Sequence, residues 1–441
     1  MRTVTLCVAL LLVLLAARPV SAQAERPERP YRGLFGGGVG NTEQLLTFTM
    51  DFGAGYDGNV LVGLGGDAAV SVQPGRLVRS RFEQASAGLA YSLKRSRVGF
   101  TASAGDTATY YPALSQPLVQ TESGSVGGSL QIASGTSVTA SESATYGPLY
   151  FLAAFPVFSQ SQQGPPIGLG ETLGARVENH TTLLTSAAFS QVLSHRIAVS
   201  LSYGHQSSYS PSRDFDLSTQ SAVAAVNVPL DKGLALQVGY GYSEARFRTG
   251  AGLQRVDNQL INAGLNFNRA LSLSRRVTLS FDTGSSVLSQ FGQTHYAITG
   301  DALLNREIGR TWNAALAYSR RVGFLETFRQ SLFSDSLSLE VGGLIARRWQ
   351  FHSSFGATTG QIGFTLPANG FTAYSGTAGL TIGLTRDLGF GVDYSYARYV
   401  FGSGVQLPSG LSRRTDRERV FVHLSLWVPL VQRTRRPDAT R

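Results

Sequence analysis

Residues 388–397 read Leu-Gly-Phe-Gly-Val-Asp-Tyr-Ser-Tyr-Ala. Leu388, Phe390, Val392, Tyr394 and Tyr396 share one side of an extended chain, and Gly389, Gly391, Asp393, Ser395 and Ala397 share the other. Side chains of a β-strand alternate faces, so this segment is apolar on one side and small or wet on the other. The same rhythm runs from Gln44 to Leu430. Leu46, Phe48, Met50 and Phe52 open it, Ile197, Val199, Leu201 and Tyr203 continue it, and Val420, Val422, Leu424, Leu426 and Val428 close it. About 18 such segments occur, each near the ~9–11 residues a tilted strand needs to cross a bilayer. A closed sheet with an apolar outside is one of only two ways to span a membrane, because every backbone polar group must be paired there. A soluble β-sandwich also alternates, but it does not need aromatics at so many strand ends or strands so uniformly long. The pattern therefore predicts an all-β fold, a single transmembrane antiparallel β-barrel of about 18 strands, with a range of about 16–20.

Bulk composition agrees. The chain has 50 glycines and only 15% charged residues. Small residues suit a lumen-facing wall, and lipid-facing strands carry few charges. Residues 1–22 read as a secretory signal: Arg2, an apolar stretch from Val4 to Ala17, then Val20-Ser21-Ala22. The only cysteine, Cys7, lies inside it, so the expected mature protein has no disulfide. Residues 23–43 read as a flexible periplasmic leader, 44–430 as the barrel and 431–441 as a basic periplasmic tail. Odd-numbered connections read as long loops, among them 56–79, 150–177, 246–255 and 401–416. Even-numbered ones read as short turns, among them Lys94–Arg97, Leu193–Arg196 and Arg347–Arg348. An even strand count places both termini on the periplasmic side.

The net charge is +10, and the basic residues gather in the short turns and the tail. That suits solubility and anionic lipid heads at one rim. No nucleic-acid recognition motif accompanies it, so nucleic acid is not an expected partner. Neither Gly-x-Ser-x-Gly nor His-Glu-x-x-His occurs, and no catalytic residue, metal ligand or cofactor is assigned. His180 and His205, with Asp214 and Asp216 nearby, form the nearest thing to an acid–base group.

The expected inner faces are mostly Gly, Ser, Thr, Ala and Asn. The charged pore-lining candidates among them are Asp51, Asp282, Asp301, Arg321, Glu340 and Asp393. Five acids against one base predict a mild preference for cations. Two irregularities stand out. Glu142 falls on the face that Val138 and Ala144 assign to lipid, which implies a wrong register or a bulge. The segment Leu149–Phe158 is nearly all apolar, and Tyr150, Phe151, Phe155 and Phe158 are candidates for a constriction, a strand extension or a partner contact.

The mature chain resembles Gram-negative outer-membrane β-barrels. In its signal-plus-barrel layout it looks most like the β-barrel porins associated with exopolysaccharide systems. Val420–Leu430 resembles the C-terminal strand read by the barrel-assembly machinery, except that Leu430 stands where an aromatic is usual and 11 residues follow it. The resemblance implies an outer-membrane conduit, with a secreted polysaccharide as cargo and a periplasmic polysaccharide-export apparatus as partner. A general or nutrient porin is the alternative. A structural or adhesive barrel that binds partners through its outer loops is a third reading.

Overall fold

The computed structural model describes residues 42–434 apart from 61–78, 115–116, 151–173, 195–196, 210–215, 232, 250–251, 271–276, 291–292, 310, 326–329, 364–368, 406 and 408–411. The signal segment, residues 23–41 of the leader, and Phe151, Phe155 and Phe158 therefore lie outside the described residues, while the last two leader positions, Thr42 and Glu43, open the first strand. Tyr150 is described only as the end of a strand.

Eighteen strands follow one another. The first six are β1 (Thr42–Asp57), β2 (Ser80–Lys94), β3 (Val98–Tyr110), β4 (Leu118–Ala133), β5 (Thr136–Tyr150) and β6 (Gly174–Ser194). The next six are β7 (Ile197–Tyr209), β8 (Leu217–Asp231), β9 (Leu234–Thr249), β10 (Gly252–Ala270), β11 (Val277–Gln290) and β12 (Gln293–Ile308). The last six are β13 (Trp312–Leu325), β14 (Gln330–Ala346), β15 (Trp349–Ile362), β16 (Gly370–Gly383), β17 (Leu388–Phe401) and β18 (Arg414–Thr434). Each pairs antiparallel with its neighbours in sequence, and β1 pairs with both β2 and β18. The sheet thus closes on itself and has no free edge, which is what lets a sheet leave water without unpaired backbone groups. The expected closed 18-strand barrel is the observed architecture.

Alternation sorts the wall. On β17, Leu388, Phe390, Val392 and Tyr394 point outward, while Gly389, Gly391 and Asp393 are buried on the inside. Among the outward residues, Phe52, Leu201, Val238, Leu339, Phe355, Val422 and Leu424 are exposed large apolar side chains. In water such a belt would be an aggregation surface, and in a bilayer it is the lipid contact. Aromatic residues mark its two borders. At the end carrying the short turns, Trp312 packs 6.0 Å from Phe351, and its Nε1 donates to the Leu344 carbonyl over 3.0 Å. Gly343 provides the flat place for that indole, since a Cβ there would lie 2.5 Å from Trp312 Cγ. The β12–β13 turn holds Gly309 at φ +64, a left-handed conformation that glycine adopts at least cost.

At the end carrying the long loops, a tyrosine, an aspartate and an arginine recur together on the outer surface. Tyr318 donates to Asp335 over 2.6 Å beside Arg320, and Tyr396 donates to Asp416 over 3.2 Å beside Arg398. Tyr242 donates to Asp257 over 2.5 Å, beside Arg255, Glu244 and Arg246. The last group explains a difference from the expected loop at 246–255. β9 runs to Thr249 and β10 starts at Gly252, so the strands rise past the apolar belt and two residues separate them. Charged cross-strand pairs hold the hairpin where lipid contact ends. β18 likewise starts at Arg414 and runs on to Thr434, beyond the Leu430 boundary read from the pattern.

The Glu142 irregularity is not a bulge. Glu142 pairs in unbroken register with Val126 on β4 and Thr185 on β6, and the register shifts fall elsewhere, at Gln131/Ala133 and Pro148/Tyr150. The carboxylate is exposed on the outward face, among Ala140, Ala144 and Val126. An acid on the lipid side is destabilising. Glu142→Leu is therefore expected to raise the urea midpoint of the barrel in phospholipid bilayers, and a lowered midpoint would show that this sector does not face lipid.

Candidate functional site in the barrel lumen

The inside is the one enclosed surface the fold creates, and its chemistry follows from the inward half of each strand. Much of it is hydroxyl. Ser103 meets Ser125 at 2.7 Å, Ser137 meets Ser190 at 2.8 Å and Ser141 meets Ser186 at 2.6 Å. Around the wall Ser354 meets Thr377 at 2.6 Å, and Thr358 donates to Ser336 over 3.0 Å. These residues sit opposite or diagonally across neighbouring strands, so each pair satisfies part of its own hydrogen bonding and keeps the remainder for the lumen.

Alternation places Asp51, Asp282, Asp301, Arg321, Glu340 and Asp393 on this inward face. The structure brings Asp282, Asp301 and Arg321 together, and gives Asp51 and Asp393 other partners. Asp51 accepts from Ser86 over 3.3 Å and from Ser425. Asp282 lies directly across from Asp301, and Arg321 pairs with Asp301 at 2.8 Å. Two like charges opposite each other repel, and the arginine offsets that repulsion. Glu340 lies across from Ser354. Asp393 stands between two histidines on other strands, His352 and His423.

Two features of the wall were not foreseen. Toward the loop end it is not small and wet throughout. Leu332 and Ile362 pair across β14 and β15, Phe371 and Phe401 pair across β16 and β17, and all four are buried with Tyr399. Leu217, Ala245 and Val256 form a second buried apolar group on the inside of β8–β10. Beside the first group stands a buried ion pair. Arg417 Nε donates to Asp57 at 3.0 and 3.1 Å, and its Nη2 also reaches that carboxylate. Asp57 further accepts from the Asn59 backbone over 3.1 Å and from the Tyr111 hydroxyl over 3.4 Å. Arg419 lies 4.2 Å from the Phe82 ring and hydrogen-bonds Gln84, while Phe82 stacks on Phe421 at 5.7 Å. The expected loop boundaries hid this group, since Asp57 and Arg414–Asp416 read as loop and Arg417 and Arg419 lay just outside the last expected strand. The signal was present nonetheless: Thr415, Arg417, Arg419 and Phe421 continue the inward parity of β18.

His180 and His205 fall on opposite faces. His180 is inward and buried on β6, whereas His205 is outward, with Nδ1 3.1 Å from the Thr219 carbonyl. Strand alternation thus separates the acid–base group that sequence proximity suggested. Among the described residues, no group of three His, Cys, Asp or Glu side chains converges to hold a metal ion.

No known family pattern matches the chain, and no curated protein matches it. Solved structures do. The FrpB iron transporter from Neisseria meningitidis aligns at 9% identity over 81% of this chain and 62% of its own, with a TM-score of 0.43. OccK7 (OpdD) from Pseudomonas aeruginosa aligns at 12% identity over 88% of this chain and 100% of its own, with a TM-score of 0.43. OccAB3 from Acinetobacter baumannii aligns at 10% identity over 88% and 100%, with a TM-score of 0.41. The chain spans less than two thirds of the FrpB length. At these identities cargo has to be argued from this chain's own wall.

Proposed function

We propose that this protein is a passive conduit of the Gram-negative outer membrane and that its cargo is a secreted polysaccharide. The closed barrel with its apolar belt supports the location, because such a wall is stable only around lipid. Eighteen strands enclose a lumen of the size that holds an aqueous channel in porins. The hydroxyl pairs carry the choice of cargo. Ser103–Ser125, Ser137–Ser190, Ser141–Ser186 and Ser354–Thr377 line the wall with neutral groups that both donate and accept. A chain of sugars offers the same groups, so it can exchange water for wall repeatedly without a deep binding step. Outer-membrane lipids, the barrel-assembly machinery and a periplasmic export apparatus are the partners this role implies.

Deletion of the gene is the direct test. Surface polymer should fall to background while uptake of small sugars and amino acids stays at the parental rate. Normal polymer with slowed solute uptake would instead favour a nutrient porin. A purified barrel that conducts no ions in planar bilayers would favour a structural or adhesive role.

A further inference from the structure

His352, Asp393 and His423 form a cluster that the hydroxyl-lined conduit does not explain. His352 is on β15, Asp393 on β17 and His423 on β18. Gly379 of β16 lies in register with both His352 and Asp393. Nε2 of His352 is 3.3 Å from Oδ1 of Asp393, and Nδ1 of His423 is 3.3 Å from Oδ2. Glycines make the room. A Cβ on Gly379 would come within 2.1 Å of both Asp393 Oδ1 and His352 Cε1, and one on Gly391 within 2.4 Å of the His423 ring. Asp393 is 7% exposed, and Phe421 stacks on His423 at 4.9 Å. His352 Nε2, Asp393 Oδ1 and His423 Nδ1 are each buried without an aligned hydrogen bond.

A carboxylate only accepts, so a hydrogen bond from either ring to Asp393 needs a proton on the nitrogen that faces it. The other nitrogen of each ring, His352 Nδ1 and His423 Nε2, is then where an added proton goes. Imidazole is the side chain whose ordinary titration falls between about pH 5 and 8. Two added protons turn a single negative charge into a single positive one. Each new cation would already face a carboxylate oxygen, so no strand has to move. Other charged groups flank the cluster on the inward face. Glu340 comes from β14, Arg419 from β18 beyond Phe421, and Asp51 from β1 through Ser425. The inward positions of β16 nearby, Thr377, Gly379 and Thr381, carry no charge.

We propose that His352, Asp393 and His423 are a proton-operated charge element that sets the ion preference of the lumen. The inference rests on the conduit reading. Above the imidazole range the element adds to Asp51 and Glu340 and favours cations; in acid it opposes them.

The test is the reversal potential in a salt gradient across planar bilayers, at pH 8 and pH 5, for wild type and for His352→Gln/His423→Gln. Heat-dependent migration on gels checks that both barrels are folded. Wild type should shift toward anions at pH 5, and the double variant should lose most of that shift. An equal shift in both proteins overturns the proposal. Potentiometric proton uptake between the two pH values is measured on the same preparations, and wild type should take up more protons than the variant. Equal uptake overturns the proposal even if the barrel conducts nothing, a result that by itself would sink only the conduit reading.

Discussion

Asp57→Ala is expected to destabilise the barrel by about 3–5 kcal/mol, read as the urea midpoint of folding into phospholipid bilayers. Asp57 is 0% exposed and Arg417 9% exposed. Removing the carboxylate leaves a guanidinium buried at the β1–β18 seam with its main counter-charge gone, and that unpaired charge is the cost. The pair itself is worth much less than its loss, because two charges were taken out of water to make it. The double variant Asp57→Ala/Arg417→Met is therefore expected to recover most of the stability. If it is no more stable than the single variant, packing around the pair rather than its charge holds the seam. An exposed pair gives the contrast. Arg95 and Glu43 meet at 2.9 Å, but their side chains are 66% and 36% exposed. Glu43→Ala should cost less than about 1 kcal/mol.

Most of the barrel was legible because a two-residue period has only two phases. Once Leu388, Phe390 and Val392 are outward, Gly389, Gly391 and Asp393 have to be inward, and the same logic placed Asp282, Asp301 and Glu340. Legibility failed where outward residues stop being apolar. Glu244 and Arg246 on β9, and Arg414, Asp416 and Glu418 on β18, keep the strand period but have loop composition, so the apolar pattern ends β9 too early and starts β18 too late. The buried inward aromatics had a readable signal, since Tyr399 and Phe401 continue the parity of Asp393 and Ala397. The histidine cluster had none. Which residue of β15 lies level with Asp393 depends on the register of two intervening strand pairs, and alternation fixes the face of a residue but not its height. Turn lengths set that register. Only pairing shows that Gly379 stands beside both His352 and Asp393.

Two adjacent residues on β14 should respond to arginine in opposite ways. Leu339 is outward, 42% exposed, and pairs with Leu316 and Phe355 on the neighbouring strands. Ser338 is inward and pairs with Ala317 and Gly356, both small, with Glu340 two residues along. Leu339→Arg puts a guanidinium into the lipid belt and is expected to cost about 2–4 kcal/mol, less if it snorkels to a border. Ser338→Arg puts the same group into the lumen, where water and Glu340 can meet it, so its cost should stay within about 1 kcal/mol. It should also move the reversal potential toward anions, which Leu339→Arg should not do. The pair of variants shares strand, helix-free backbone and introduced side chain, and differs only in the face. Equal destabilisation by both would mean that the inside is as dry as the membrane at this level, and the conduit reading would then fail there. The reverse order, with Ser338→Arg the more costly, would turn the wall inside out. The expected order follows from one property of the chain, that Leu339 belongs to the apolar phase of the repeat and Ser338 to the hydroxyl phase.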